Sequence, residues 1–196
     1  TATAGAIEYD GKIVYGTPIG TQRGIVPTQQ YYRLDSALVG ANAATTQNIF
    51  GVGVTLSAST VYEFEMVAAL SKSAGTTSHN FGYGFGGTAT LNNIGFLVSG
   101  SSQSSSFAPL AAGGNMIQQW IAGAGNTNVN TGITSAAFYN YAVIKGTVSI
   151  NAGGTFIPQY TLSAAPGGAY TTSIGSYIKI NPLSASGAAT NVGTWA

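Results

Sequence analysis

The sequence predicts an all-β fold, an antiparallel β-sandwich of the jelly-roll kind, on three observations. The first is the stretch from Leu56 to Leu70. From Val61 it alternates strictly, with Tyr62, Phe64, Met66, Ala68 and Leu70 on one face and Val61, Glu63, Glu65, Val67 and Ala69 on the other. Burying the four larger side chains is worth about 1.5–3 kcal/mol each, so this strand requires a second layer facing it. The second observation is a succession of about eight to ten short apolar and aromatic runs separated by Gly, Pro, Asn and Ser turn signals. The third is the near absence of helical spacing; a helix would scatter Tyr62, Phe64 and Met66 around its axis.

Composition sets the class. Of 196 residues only 6% are charged, against about 25% in ordinary globular chains, and 44% are hydrophobic. Abundant aromatic and β-branched residues exclude a disordered chain. Its surface must be wetted by hydroxyls and amides. Net charge is +1, which gives no electrostatic footprint for nucleic acid, and no segment suits membrane insertion or a signal peptide. The absence of cysteine excludes disulfides and thiolate zinc sites, so oligomerisation becomes an expected source of stability. The start at Thr1 suggests a segment cut from a longer chain.

Taken in order, Ala6–Tyr15 reads as a hairpin around Asp10-Gly11, a two-residue type I′ turn, with Glu8 and Lys12 paired across it. Gly16–Gly24 is a loop. A first unit, 1–25, therefore comprises the hairpin and its connection, and the sandwich occupies 26–196. Val26–Leu34 resumes a strand entered at Pro27, and Gln47–Phe50 reads as one helical turn. After the central strand, Phe81–Gly87 places aromatics on one face and glycines on the other. With no following helix or acid, this is a strand whose bare face admits another backbone or a large ring, and not a dinucleotide site.

Asn93–Val98 is a short strand, and Ser99–Ser106 a low-complexity loop too polar to bury. Met116–Ile121 and Phe138–Ile150 are strands separated by a loop at Gly123–Gly132. In the latter strand Ile144, Val148 and Ile150 oppose Lys145, Thr147 and Ser149. Thr155–Leu162 and Ser176–Ile180 complete the set before a Gly/Ala/Ser tail ending at Trp195-Ala196.

Candidate chemistry is sparse. The five carboxylates are Glu8, Asp10, Asp35, Glu63 and Glu65. Glu63 and Glu65 lie about 7 Å apart on one strand face, near a glycosidase-like separation, but a solvated strand face is the favoured reading. The single histidine, His79, lacks the acids a triad or metal site needs and reads as a surface or turn residue; only a shared position on a trimer axis would make it a ligand. Trp120, Trp195 and the tyrosines are candidate sugar-stacking surfaces, set against the plainer reading of core or interface rings.

The runs Ala4–Gly11, Pro27–Leu34, Leu56–Glu65, Lys145–Ile150, Gly154–Tyr160 and Gly175–Ile180 together resemble the C-terminal domain of tailed-bacteriophage virion structural proteins, of the tail-fibre or capsid-decoration kind. The strand layout is also similar to C1q/TNF-like jelly rolls, which implies a homotrimer; the calcium sites of some such domains have no acidic counterpart here. The resemblance implies a non-enzymatic protein on the virion exterior, held to other virion proteins through an upstream or N-terminal segment, without cofactor, metal or catalytic residue. Tyr62, Phe64, Trp120, Tyr177 and Trp195 are the candidate trimer or ligand contacts. The alternatives are a carbohydrate-binding receptor-recognition module, using the loops at Ser99–Ser106 and Gly123–Thr131 against a host-surface glycan, and, more remotely, a glycan hydrolase resting on Glu63 and Glu65.

Overall fold

A computed structural model describes residues 3–104, 106–107, 114–187 and 189–195. Its described residues form strands without a helix. In chain order these are β1 (Ile7–Tyr9), β2 (Val14–Gly16), β3 (Gly24–Ile25), β4 (Gln30–Arg33), β5 (Leu38–Val39), β6 (Thr46–Asn48), β7 (Val54–Leu56), β8 (Thr60–Lys72), β9 (His79–Gly86), β10 (Thr90–Gln103), β11 (Asn115–Ala122), β12 (Thr127–Ile133), β13 (Phe138–Ala152), β14 (Gly154–Leu162), β15 (Thr171–Thr172) and β16 (Tyr177–Ala185).

Two antiparallel sheets form the sandwich. The larger runs β11-β10-β13-β8, then continues with β16 and β15 along the free side of β8, and with β4 and β5 outside those. The smaller runs β12-β9-β14, with β6 and β7 sharing the outer edge of β14. From β8 to β14 the chain changes sheet at every connection except the β10–β11 hairpin, so most strand neighbours are distant in sequence. Pro158, inside β14, falls where β7 ends and β6 begins to pair, so its missing N–H breaks no ladder.

The alternation of β8 is realised as read. Tyr62, Phe64, Met66, Ala68 and Leu70 are buried against the smaller sheet, where Phe81, Tyr83 and Phe85 of β9 meet Phe156, Tyr160 and Leu162 of β14. Phe85 stacks on Phe156 with centroids 4.6 Å apart, and Phe64 and Phe96 meet Phe85 edge-on at 5.0 and 5.1 Å. Each such pair adds about 0.5–1.5 kcal/mol beyond burial. Gly146 makes room for this cluster: it is the cross-strand partner of both Phe64 and Phe96, and a Cβ there would lie 2.5 Å from that of Phe96. The glycine face of β9 does admit backbone, since Cβ atoms at Gly82 and Gly84 would come within 2.9 Å of Thr127 O and Ala124 O respectively.

Several expectations are corrected. The hairpin has a four-residue loop, Asp10–Ile13, in which only Gly11 takes positive φ and Asp10 Oδ1 accepts from Lys12 N and Ile13 N. An Asx-type turn has displaced the type I′ turn. Glu8 pairs with Arg23 at 3.1 Å, while Lys12 Nζ donates to Ala58 O and Ser59 O, tying the N-terminal unit to the turn before β8. β3 adds a third strand to that unit. The helical turn at Gln47–Phe50 is instead β6 followed by the buried pair Ile49 and Phe50.

The serine-rich run is strand as far as Gln103, with Ser101 and Ser102 both 1% exposed; Ser105 lies outside the described residues. Ladder bonds from β11 and β13 satisfy its backbone, which is what a free loop would lack. Much of Gly123–Gly132 is β12, paired irregularly with β9.

Candidate functional site

The outer face of the larger sheet carries the chain's most concentrated polar chemistry. Cross-strand register generates it. One row runs Trp120, Leu97, Lys145, Glu65, Lys179 and Tyr31 across β11, β10, β13, β8, β16 and β4. The adjacent row runs Gly95, Thr147, Glu63 and Asn181. Because side chains alternate, both rows face away from the core.

Glu65 is the hub of the first row. Its carboxylate receives Lys145 Nζ at 2.8 Å and Lys179 Nζ at 3.1 Å, and Tyr177 Oη donates to it at 3.0 Å. The hydrogen bonds from Lys145, then Lys179, hold its pKa down to about 2, well below its ordinary 4.5. The same contacts raise Lys145. A carboxylate so held stays ionised and cannot serve as an acid near neutrality. Glu63, two residues away, is exposed and makes no ion pair or hydrogen bond among the described residues.

Trp120 lies beside this pair, 65% exposed, its indole resting over Gly95: a Cβ there would sit 2.6 Å from the ring. Trp120, Lys145, Thr147, Glu63, Asn181 and Gln29 border a groove of about 530 Å³. Asn181 is 8% exposed, and its side-chain amide makes no hydrogen bond among the described residues.

The candidate contacts separate. Tyr62 and Phe64 are buried within the chain's own core, 5% and 3% exposed, so neither is free to touch another subunit or a ligand; the apolar face of β8 is consumed by the smaller sheet. Tyr62 Oη accepts from Ser57 N, bracing the turn into β8. Tyr177 is half-buried, stacked on Tyr31 at 5.5 Å and bonded to Glu65. Trp195 stands apart near the end of the chain, 80% exposed, with Nε1 donating to Val192 O.

Two groups whose sequence context predicts a polar turn or a surface position are deeply buried. His79 is 1% exposed; Nδ1–H donates to Thr77 O at 2.8 Å, and Nε2 accepts from Tyr170 Oη at 2.8 Å. Burial lowers its pKa and keeps the ring neutral. Lys72, 2% exposed, points its ammonium at Ala74 O, Gly75 O, Ser135 O and Ala136 O, closing the end of β8 onto the β12–β13 connection. Between the sheets Tyr83 Oη donates to Asn140 Oδ1, Asn140 Nδ2 to Asn130 Oδ1 at 2.7 Å, and Asn130 Nδ2 to Ser102 Oγ at 2.7 Å. Such buried chains fix one alignment of the layers. Alternation marks Asn140 as inward-facing; its partners, remote in sequence, carry no local signal.

No group of three or more His, Cys, Asp or Glu able to hold a metal occurs among the described residues.

No protein-family model and no curated protein matches the chain. A capsid structure, that of infectious bursal disease virus Gx strain, overlaps 92% of this chain and 45% of its own at 10% identity and a TM-score of 0.21. This chain thus spans under half of that one, and the overlap at this score assigns no function.

Proposed function

We propose that this chain is a non-enzymatic structural protein of a bacteriophage virion: a C1q/TNF-like jelly roll, homotrimeric, displayed on the particle exterior as a tail-fibre tip or a capsid fibre or decoration domain. One observation carries the non-enzymatic reading. Of five carboxylates, four are engaged in local ties: Glu8 to Arg23, Asp10 in its turn, Asp35 to Arg33 and Glu65 to two lysines. His79 is sealed in the core. Proton transfer at a bond needs two titratable groups converging on one cleft, and here only Glu63 remains.

The alternation of strands between sheets supports the jelly-roll reading, and the family resemblance of the sequence supports the virion. Surfaces nearly free of charge suit lasting subunit contacts that desolvate no ions. Gold-labelled antibody against the domain tests the placement: label on the head or tail exterior of intact particles is expected, and unlabelled particles contradict it. A second reading, a carbohydrate-binding recognition module, is favoured by the open indole of Trp120 beside unpaired polar groups.

A further inference from the structure

Resting on that second reading, we propose that the Trp120 groove is a binding site for neutral saccharides, with the indole as stacking platform and Glu63 and Asn181 as the hydroxyl-reading groups.

The site follows from one row of the sheet. Gly95, Thr147, Glu63 and Asn181 are consecutive cross-strand partners. Strand spacing of about 4.8 Å makes this row about 14 Å long, the scale of a short oligosaccharide. At the first position the missing Cβ lets the indole of Trp120 lean over the row. Trp120 is left 65% exposed, an arrangement that offers the indole to the C–H face of a pyranose ring. The following positions offer a hydroxyl, a carboxylate and an amide, and Gln29 adds a second amide.

Asn181 points independently to a ligand. Most of the residue is buried, yet its side-chain amide makes no hydrogen bond among the described residues and borders the groove, where it is open to a ligand. Glu63 likewise lacks a side-chain partner among the described residues and can accept two hydroxyls at once. Charge selects the ligand class. Lys145 and Lys179 share the one Glu65 carboxylate, and with Glu63 the four charges lining the groove sum to zero. An anionic sugar would find no net positive charge there and would meet the Glu63 carboxylate; a neutral polyol needs no charge. The volume of about 530 Å³ is within the range of small-molecule clefts, about 300–1,000 Å³.

The test uses the full chain with Trp195→Phe, so that Trp120 is the only indole. Maltose, cellobiose, lactose, N,N′-diacetylchitobiose and, as the anionic comparison, 3′-sialyllactose are titrated while its emission is followed, and calorimetry repeats the titrations on Trp120-containing and Trp120-lacking forms. The expected result is saturable binding of at least one neutral sugar, with Kd on the order of 1 mM for a single open site. Trp120→Ala, Asn181→Ala and Glu63→Gln should each weaken it roughly tenfold, about 1.4 kcal/mol. Gly95→Ala, which keeps the indole but displaces it, should do the same. Circular dichroism of each variant confirms the fold.

No binding by any of the five sugars overturns the site and the recognition reading together. Binding that these folded variants leave unchanged places the ligand elsewhere, overturning the groove while leaving recognition standing. Preference for 3′-sialyllactose overturns the neutral class.

Discussion

Replacing Asn140 with alanine removes the centre of the polar chain between the sheets. Asn140 is fully buried, takes a hydrogen bond from Tyr83 and gives one to Asn130. Alanine leaves the Tyr83 hydroxyl and Asn130 Oδ1 without these partners, and each stranded buried group costs about 1–3 kcal/mol. The expected loss is therefore about 2–6 kcal/mol, and at about 2–4 °C per kcal/mol for a chain of this size a 3 kcal/mol loss lowers Tm by about 6–12 °C. Calorimetry at fixed protein concentration reads it. Tyr83→Phe alone should cost about 1–2 kcal/mol. Added to Asn140→Ala it should cost less than it does alone, because the hydroxyl it deletes is already stranded; the two effects should fall short of additivity by about 1 kcal/mol. A Tm drop below about 2 °C for Asn140→Ala, or strict additivity in the double variant, would refute the reasoning.

Acid titration should expose Glu65. Its folded pKa is lowered, so its stabilisation is complete above the ordinary carboxylate value of 4.5 and is lost as pH falls toward about 2. The full linkage would be about 3 kcal/mol; solvent around the exposed Lys145 reduces the expected loss to about 1–2 kcal/mol, and Glu65→Gln should flatten that part of the pH–stability curve. Lys72→Met strands carbonyls of both flanking connections and should lower the urea midpoint by the equivalent of about 2–3 kcal/mol, whereas a surface lysine would cost almost nothing. Gly146→Val forces a side chain to within 2.3 Å of Gly95 O and against Phe96, and soluble yield and Tm should both fall, by at least about 1–3 kcal/mol in stability.

Period-two patterning made the sandwich legible. Tyr62 to Leu70 and Ile144 to Ile150 declare their buried faces because alternation is local information. What the pattern cannot carry is the identity of a partner. Lys72 and His79 look like surface residues until carbonyls and a tyrosine hydroxyl brought by distant segments enclose them. Ser101 and Ser102 look like loop until two flanking strands satisfy their backbone. At Asp10 the sequence is ambiguous because Asp-Gly fits two loop lengths, and the side-chain bond to Ile13 N selects the longer. Of the candidate site, Trp120 was visible as an aromatic among polar residues. Its seat on Gly95, and the row that joins it to Asn181, exist only through register.

The central claim is that this chain acts through shape and subunit contact. Light scattering on the purified protein, across a hundredfold dilution, tests it most directly. A constant mass of about three times the 19.8 kDa protomer is the expected result. A stable 19.8 kDa monomer at every concentration would contradict the account.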